Sequence, residues 1–173
     1  LLTIRNDNIL MLEGFMPAVS AFAEAYGFGG IFMIAFLESF IFPVPTATLI
    51  APMTAIGADP FYVALIAAIG SVLGALIGYA IGHHIGRPVA EKLFKEKHVR
   101  KVEEWYKKYG AWAVLIAAFS PVPFKVFAWF SGIFRLDIKK FLIASIIGRT
   151  AQFFIVAYLG SFVGPWVLGL FGL

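Results

Sequence analysis

Three ionisable side chains stand inside stretches that are otherwise apolar: Glu38, Lys125 and Arg149. At the centre of a hydrocarbon-embedded helix each costs roughly 2.5–3.5 kcal/mol to insert, and such groups usually face an interior cavity or one another. One acid and two bases leave a net positive charge. If Glu38 pairs with one cation, the other is available to an anionic headgroup, and broken helix ends add further donors. Glu38, desolvated beside positive charge, is the natural candidate for proton coupling. The competing reading is a structural ion pair or triad that locks the chain together.

Weaker polar candidates are Thr46, Thr48, Ser120 and Ser131, which satisfy backbone groups near chain breaks or line a polar path, and Gln152, which shares a membrane helix with Arg149. His83 and His84 are adjacent, so they point to different helix faces and make a poor metal pair. The chain has no cysteine, which excludes disulfides, thiolate metal sites and cysteine nucleophiles. It shows no Ser-His-Asp grouping, no phosphate-binding glycine loop and no carboxylate pair placed for hydrolysis. These features point away from an enzyme, and no cofactor or metal is expected.

The elements that must position these residues belong in a membrane. Of 173 residues, 61% are apolar and 14% charged, with 19 Phe, where a soluble domain carries about a quarter charged. Residues 60–86 contain no Asp, Glu, Lys or Arg, long enough to cross a core of about 30 Å. One integral membrane domain over 1–173 is the economical reading. The formal charge of +4 comes largely from segment 87–109, with eight Lys/Arg and four Glu. That is a cytoplasmic topology signal and not a nucleic-acid surface. Pro88 suits a first helical position, and Val99, Val102, Tyr106 and Tyr109 recur at helical spacing, so 87–109 reads as an amphipathic helix lying on the membrane.

Two proline pairs interrupt the apolar sequence. Gly27-Phe28-Gly29-Gly30 opens a stretch running to Gly57, broken by Pro43-Val44-Pro45. Limbs 31–42 and 46–57 each rise about 18 Å as helix, so neither crosses alone. Each proline removes a donor and disfavours helix at the residue before it, and such a break is tolerated at membrane depth only where it is buried or lines a wet cavity. The unit is one kinked span or a re-entrant hairpin. Segment 111–134 repeats the design around Pro121-Val122-Pro123, which makes Pro43, Pro45, Pro121 and Pro123 the expected hairpin tips. Segments 61–82 and 138–160 read as full membrane helices, the first with glycines at 70, 74, 78, 82 and 86 along one face for close helix approach. Segment 9–26, with two acids, reads as an interfacial amphipathic helix in preference to a spanning one, and 161–173 as the start of a last span left incomplete. Trp105, Tyr106, Trp112 and Trp166 fit an aromatic belt.

The two halves match at an offset of 78 residues: Pro43-Val44-Pro45 on Pro121-Val122-Pro123, Gly70 on Gly148, Gly82 on Gly160, Gly86 on Gly164. Charge parity then decides topology. A full span at the second proline unit would put the basic segment and the run Arg135, Lys139, Lys140 on opposite faces, whereas a re-entrant unit puts both on one face, as the positive-inside rule prefers. The fold expected is an all-α membrane protein: an inverted repeat of two re-entrant helical hairpins, each followed by a transmembrane helix (28–86 and 110–164), joined by the basic cytoplasmic helix 87–109. Such repeats place their sites near the midplane. Glu38 lies about 14 Å into the membrane counted from Gly29 and Arg149 about 18 Å beyond Asp137, with Lys125 near the second tip, so all three reach the middle third.

The run Phe36-Leu37-Glu38-Ser39-Phe40-Ile41-Phe42-Pro43-Val44-Pro45 resembles the acidic, proline-rich first motif of DedA proteins, also called the VTT or SNARE-associated family. Ser120-Pro121-Val122-Pro123-Phe124-Lys125, then Gly132, Phe141 and Gly148-Arg149, is similar to its second half. The resemblance implies two opposed re-entrant hairpins, the plasma (inner) membrane, and movement of lipids between leaflets, with polyprenyl phosphates or phospholipids as cargo and frequent dependence on the proton gradient. It puts Glu38 on the family's acidic position and Lys125 and Arg149 on basic ones. The chain departs from the family at Phe119-Ser120, where many members have Arg, at Lys125 and at Gln152. The leading expectation is a transporter of anionic lipid, polyprenyl phosphate or phospholipid, with membrane lipids and protons as partners and a homo-oligomer left open. The alternatives are a proton- or cation-coupled exporter of small solutes, and a scaffold binding partner proteins through the basic helix.

Overall fold

The computed structural model describes residues 18, 21–22, 24–41, 45–93, 96–119 and 124–171. Among them the chain is helices and turns with no strand. Helix α1 covers residues 24–38, α2 Ala47–Ala55, α3 Pro60–Leu93, α4 Glu96–Tyr109, α5 Ala111–Phe119, α6 Phe124–Ile133 and α7 Ile138–Phe171. Two of these, Pro60–Gly86 and Ile138–Val167, are long and apolar enough to cross a membrane. Their outward faces carry large exposed apolar side chains, Tyr62, Leu65, Ile69 and Leu73 on α3 and Ile143, Ile147, Ile155 and Leu159 on α7. Apolar cover on this scale is the surface of a membrane protein.

Helix starts are set by acids. The Asp59 carboxylate accepts from the backbone N–H of Phe61 at 2.8 Å and of Tyr62 at 3.3 Å, and Asp137 accepts from Lys139 and Lys140, both at 3.0 Å. Each occupies orphan donors at the positive end of a long helix. Helices α3 and α7 both span 34 residues, and their first residues lie 78 apart in sequence.

Contacts fix the directions of the chain. Along α3, Phe61 meets the Phe154 ring at 5.6 Å, Ser71 meets Arg149, and Tyr79 meets the Phe141 ring at 5.1 Å. Rising positions on α3 meet falling positions on α7, so the two long helices are antiparallel. Gly70 and Gly74 lie against the carbonyls of Phe32 and Phe36, which makes α1 parallel to α3; Gly160 and Gly164 lie against Ala51 and Ala55, which makes α2 parallel to α7. The chain therefore reverses direction between α1 and α2. Glycine is required at these crossings: a Cβ on Gly70 would stand 2.5 Å from the Phe32 carbonyl oxygen, and one on Gly132 would stand 2.6 Å from the His83 nitrogen. The glycine strip of α3 serves two neighbours in turn, α1 at Gly70 and Gly74 and α6 at Gly78 and Gly82.

Several boundaries differ from the sequence expectation. The first limb ends at residue 38 with a turn at 39–41. Segment 161–173 does not open a new span: α7 continues through Pro165 to Phe171, because Gly164 packs on Ala55 and keeps the helix docked. The basic segment is shared between the tail of α3, beyond a non-helical Gly86 (φ 67°, ψ 175°), and α4. The apolar face of α4 meets protein: Val99 and Tyr106 are buried, and the Tyr106 hydroxyl donates to the Phe127 carbonyl at 2.8 Å and lies 3.0 Å from Ser131 Oγ. Tyr106 is thus a core residue and not part of an aromatic belt, whereas Trp105, Trp112 and Trp166 are exposed. Burial pushes the Tyr106 phenol well above its ordinary pKa. Within 9–26, residues 24–26 belong to α1, which turns at Gly27 (φ 48°); 9–17 lie outside the described residues.

Candidate functional site

The core has two apolar clusters with a polar layer between them. On α3, Ala64, Ala67 and Ala68 belong to one cluster and Ala75 to the other; on α7, Phe153 and Ala157 belong to the first and Phe141 and Ala144 to the second. Ser71 and Arg149 fall between the clusters on their respective helices.

Arg149 is 3% exposed and its guanidinium is divided among three acceptors. Nε donates to Ser71 Oγ at 2.6 Å, one terminal nitrogen donates to Gln152 Oε1 at 2.8 Å, and the other reaches both Glu38 oxygens at 3.4 Å. Its plane lies 4.3 Å from the Phe153 ring centroid and 5.3 Å from that of Phe124, within cation–π range. Ser71 also lies 2.7 Å from Ser39 Oγ, which donates to the Ala35 carbonyl at 2.9 Å.

Glu38 ends α1 and is half-buried. Its Oε2 accepts the Thr46 backbone N–H at 2.8 Å and the Thr46 hydroxyl. The carboxylate therefore ties the end of α1 to the start of α2 while facing the guanidinium of α7. A charge-assisted N–H···O bond is normally 2.7–2.9 Å, so the 3.4 Å Arg149–Glu38 contact is the loose bond of the group, and the Thr46 contacts are the close ones.

Lys125 does not join this cluster. Its Nζ donates to the Ile41 carbonyl at 3.3 Å, and Trp129, one turn along α6, donates from Nε1 to the Phe40 carbonyl at 3.1 Å. These two residues satisfy carbonyls left open where α1 ends. Beside them is a pocket of ≈ 240 Å³ walled by Phe40, Ile41, Val126, Trp129 and Phe130, with Lys125 its charged member.

Among the secondary candidates, Thr46 and Gln152 are in the site. Thr48 is exposed and donates to the Pro45 carbonyl at 2.7 Å, away from the cluster. Ser131 donates to the Phe127 carbonyl at 2.7 Å, near α4. Pro45 is exposed; Pro43, Ser120, Pro121 and Pro123 lie outside the described residues. His84 Nδ1 lies 2.8 Å from the Ala80 carbonyl, and no group of three or more metal-type ligands occurs among the described residues. Sequence reasoning missed Ser71, Ser39 and the aromatic platform of Phe153. Ser71 had a signal: it is the residue matched to Arg149 by the 78-residue offset.

Comparison with known proteins gives the family of the chain. The VTT domain matches residues 42–162. An uncharacterized protein of Methanocaldococcus jannaschii is 33% identical over 160 residues, covering 92% of this chain and 96% of its own. The uncharacterized membrane protein YbfM of Bacillus subtilis is 32% identical over 86% of this chain and 98% of its own. Undecaprenyl phosphate transporter A of Staphylococcus aureus is 36% identical over a shorter region, 38% of this chain and 32% of its own. No solved structure matches the chain. Glu38, just before the first proline pair, meets Arg149 in space, the VTT domain matches residues 42–162 and a relative 33% identical covers 92% of the chain; the chain belongs to the VTT-domain family, the DedA family of membrane proteins.

Proposed function

We propose that the chain is a transporter, not an enzyme, that moves a phosphate-bearing lipid between bilayer leaflets, with Arg149 and Lys125 as headgroup ligands and Glu38 as the proton-coupled acid. One observation carries the reading: a buried arginine whose carboxylate partner is held close by Thr46 and only loosely by the arginine itself. A phosphate oxygen is a stronger bidentate acceptor for a guanidinium than a contact at 3.4 Å. Protonation of Glu38 would weaken its hold on Arg149 and leave the cation to the anion. The cargo class is supported by similarity to relatives named undecaprenyl phosphate transporter A in two organisms.

The reading treats the chain as one membrane domain with an inverted repeat, 28–86 and 110–164. Residues 43–45 and 121–123 are the tips of re-entrant hairpins that dip from opposite faces, and the basic segment 87–109 lies on the cytoplasmic side of the inner membrane. Antiparallel α3 and α7 and the reversal between α1 and α2 support it. So do helices of equal length at a 78-residue spacing.

The test is transfer of a fluorescent polyprenyl phosphate in phosphatidylcholine liposomes, read by quenching of the outer-leaflet label. Wild-type protein should transfer the lipid with no solute gradient present, and folded Arg149→Lys and Lys125→Ala proteins should be at least tenfold slower. Wild-type rates in both variants would overturn the assignment. Proton-driven efflux of a small solute without lipid transfer would favour an exporter instead.

A further inference from the structure

The turn that joins α2 to α3 is built a second time between α6 and α7. In the first, Gly57 N–H donates to the Thr54 carbonyl at 3.3 Å and Ala58 N–H to that of Met53 at 3.0 Å; in the second, Arg135 N–H donates to Gly132 at 3.0 Å and Leu136 N–H to Ser131 at 2.9 Å. Asp59 and Asp137 then cap the two following helices in the same way. One residue differs in kind. The left-handed position holds Gly57 (φ 104°) in one turn and Arg135 (φ 51°) in the other, the one non-glycine residue with positive φ among those described. A Cβ is disfavoured there, and the first turn closes with glycine. The backbone does not call for arginine at this position; the reason for it lies in its side chain.

That side chain lines a pocket of ≈ 430 Å³ between α4 and the α6–α7 turn, together with Lys107 and Lys140 and over an apolar floor that includes Tyr106 and Phe134. The pocket's two acids already have partners: Glu103 bridges Lys107, within the pocket, at 3.0 Å, and Asp137 accepts two backbone N–H groups at 3.0 Å. What remains is an exposed guanidinium fork beside an exposed ammonium. We infer that this pocket docks a phosphomonoester anion, gripped by Arg135 through two parallel N–H donors and by Lys140 as a point charge. A lipid headgroup and free phosphate share this chemistry. The site is separate from the buried Arg149 centre, and its binding is measured without transport.

The deciding variant is R135G, which restores the residue that the first turn already uses. Protein in phosphatidylcholine nanodiscs is titrated with inorganic phosphate in one arm. In the other, nanodiscs doped with phosphatidic acid are scored for retained lipid by native mass spectrometry. R135G should keep or raise the unfolding midpoint yet bind at least tenfold more weakly in whichever arm responds, and that arm names the source. K140Q, at an exposed position, should weaken binding severalfold. Wild-type binding by R135G and K140Q in both arms would overturn the proposal, as would absence of binding by the wild type in both.

Discussion

Arg149 Nε and Ser71 Oγ stand 2.6 Å apart, and the two residues are equivalent positions of α7 and α3, 78 apart in sequence. Each is the twelfth residue of its 34-residue helix, so the layer that holds the buried arginine is where like-numbered positions of the two long helices meet, serine on one and arginine on the other.

Ser71→Ala removes the acceptor of a buried guanidinium N–H. Its cost should be about 1–3 kcal/mol of stability, and Ser71→Thr should recover part of it. Denaturation in detergent, followed by helical circular dichroism, gives both values; no change with alanine would mean that Ser71 is not a genuine acceptor.

Glu38 and Arg149 form a coupled pair. Glu38→Gln leaves the cation without its counter-charge and should destabilise by about 3 kcal/mol, whereas Glu38→Gln with Arg149→Met should cost less than the sum of the single changes. A double-mutant cycle measures the difference. If the double variant is stable but inactive, the pair functions in transport; if it is both stable and active, the pair is a lock and nothing more.

Glycine at helix crossings admits no side chain. A Cβ at Gly82 would lie 2.8 Å from the Trp129 carbonyl carbon, while one at Gly29 would meet nothing within 4 Å. Gly82→Ala should therefore cost several kcal/mol or abolish folding, and Gly29→Ala should be neutral or stabilising by up to about 1 kcal/mol. Yields of monodisperse protein and melting midpoints for the pair of variants check the contrast.

Burial raises the Tyr106 phenol above its ordinary value. A group whose folded pKa is raised contributes stability that is present below its unfolded pKa, here about 10, and lost as pH rises beyond it. Stability should fall above about pH 10, and Tyr106→Phe should flatten that part of the profile while costing about 1 kcal/mol at neutral pH for the lost hydrogen bonds. An unchanged alkaline limb in the variant would show that Tyr106 does not govern it.

Much of this was written in the sequence because hydrocarbon is a strict solvent. A charge-free run from 60 to 86 has few fates other than a membrane helix, and charges inside apolar runs mark Glu38, Lys125 and Arg149 as exceptional wherever the chain goes. Glycine and proline carry the 78-residue match, since they report backbone path and not side-chain chemistry. The partners those charges chose were decided only by packing. Whether Glu38 faced Arg149 or Lys125 depended on how the end of α1 lay against α7 and α6, a difference of a few ångströms that no spacing along the chain encodes. Ser71 and Ser39 are ordinary in composition and become ligands of the site only because α1, α3 and α7 converge there. Tyr106 looked like an interfacial aromatic until α4 turned its apolar face onto α6. The sequence determined which residues must avoid lipid; tertiary contact determined what each of them met instead.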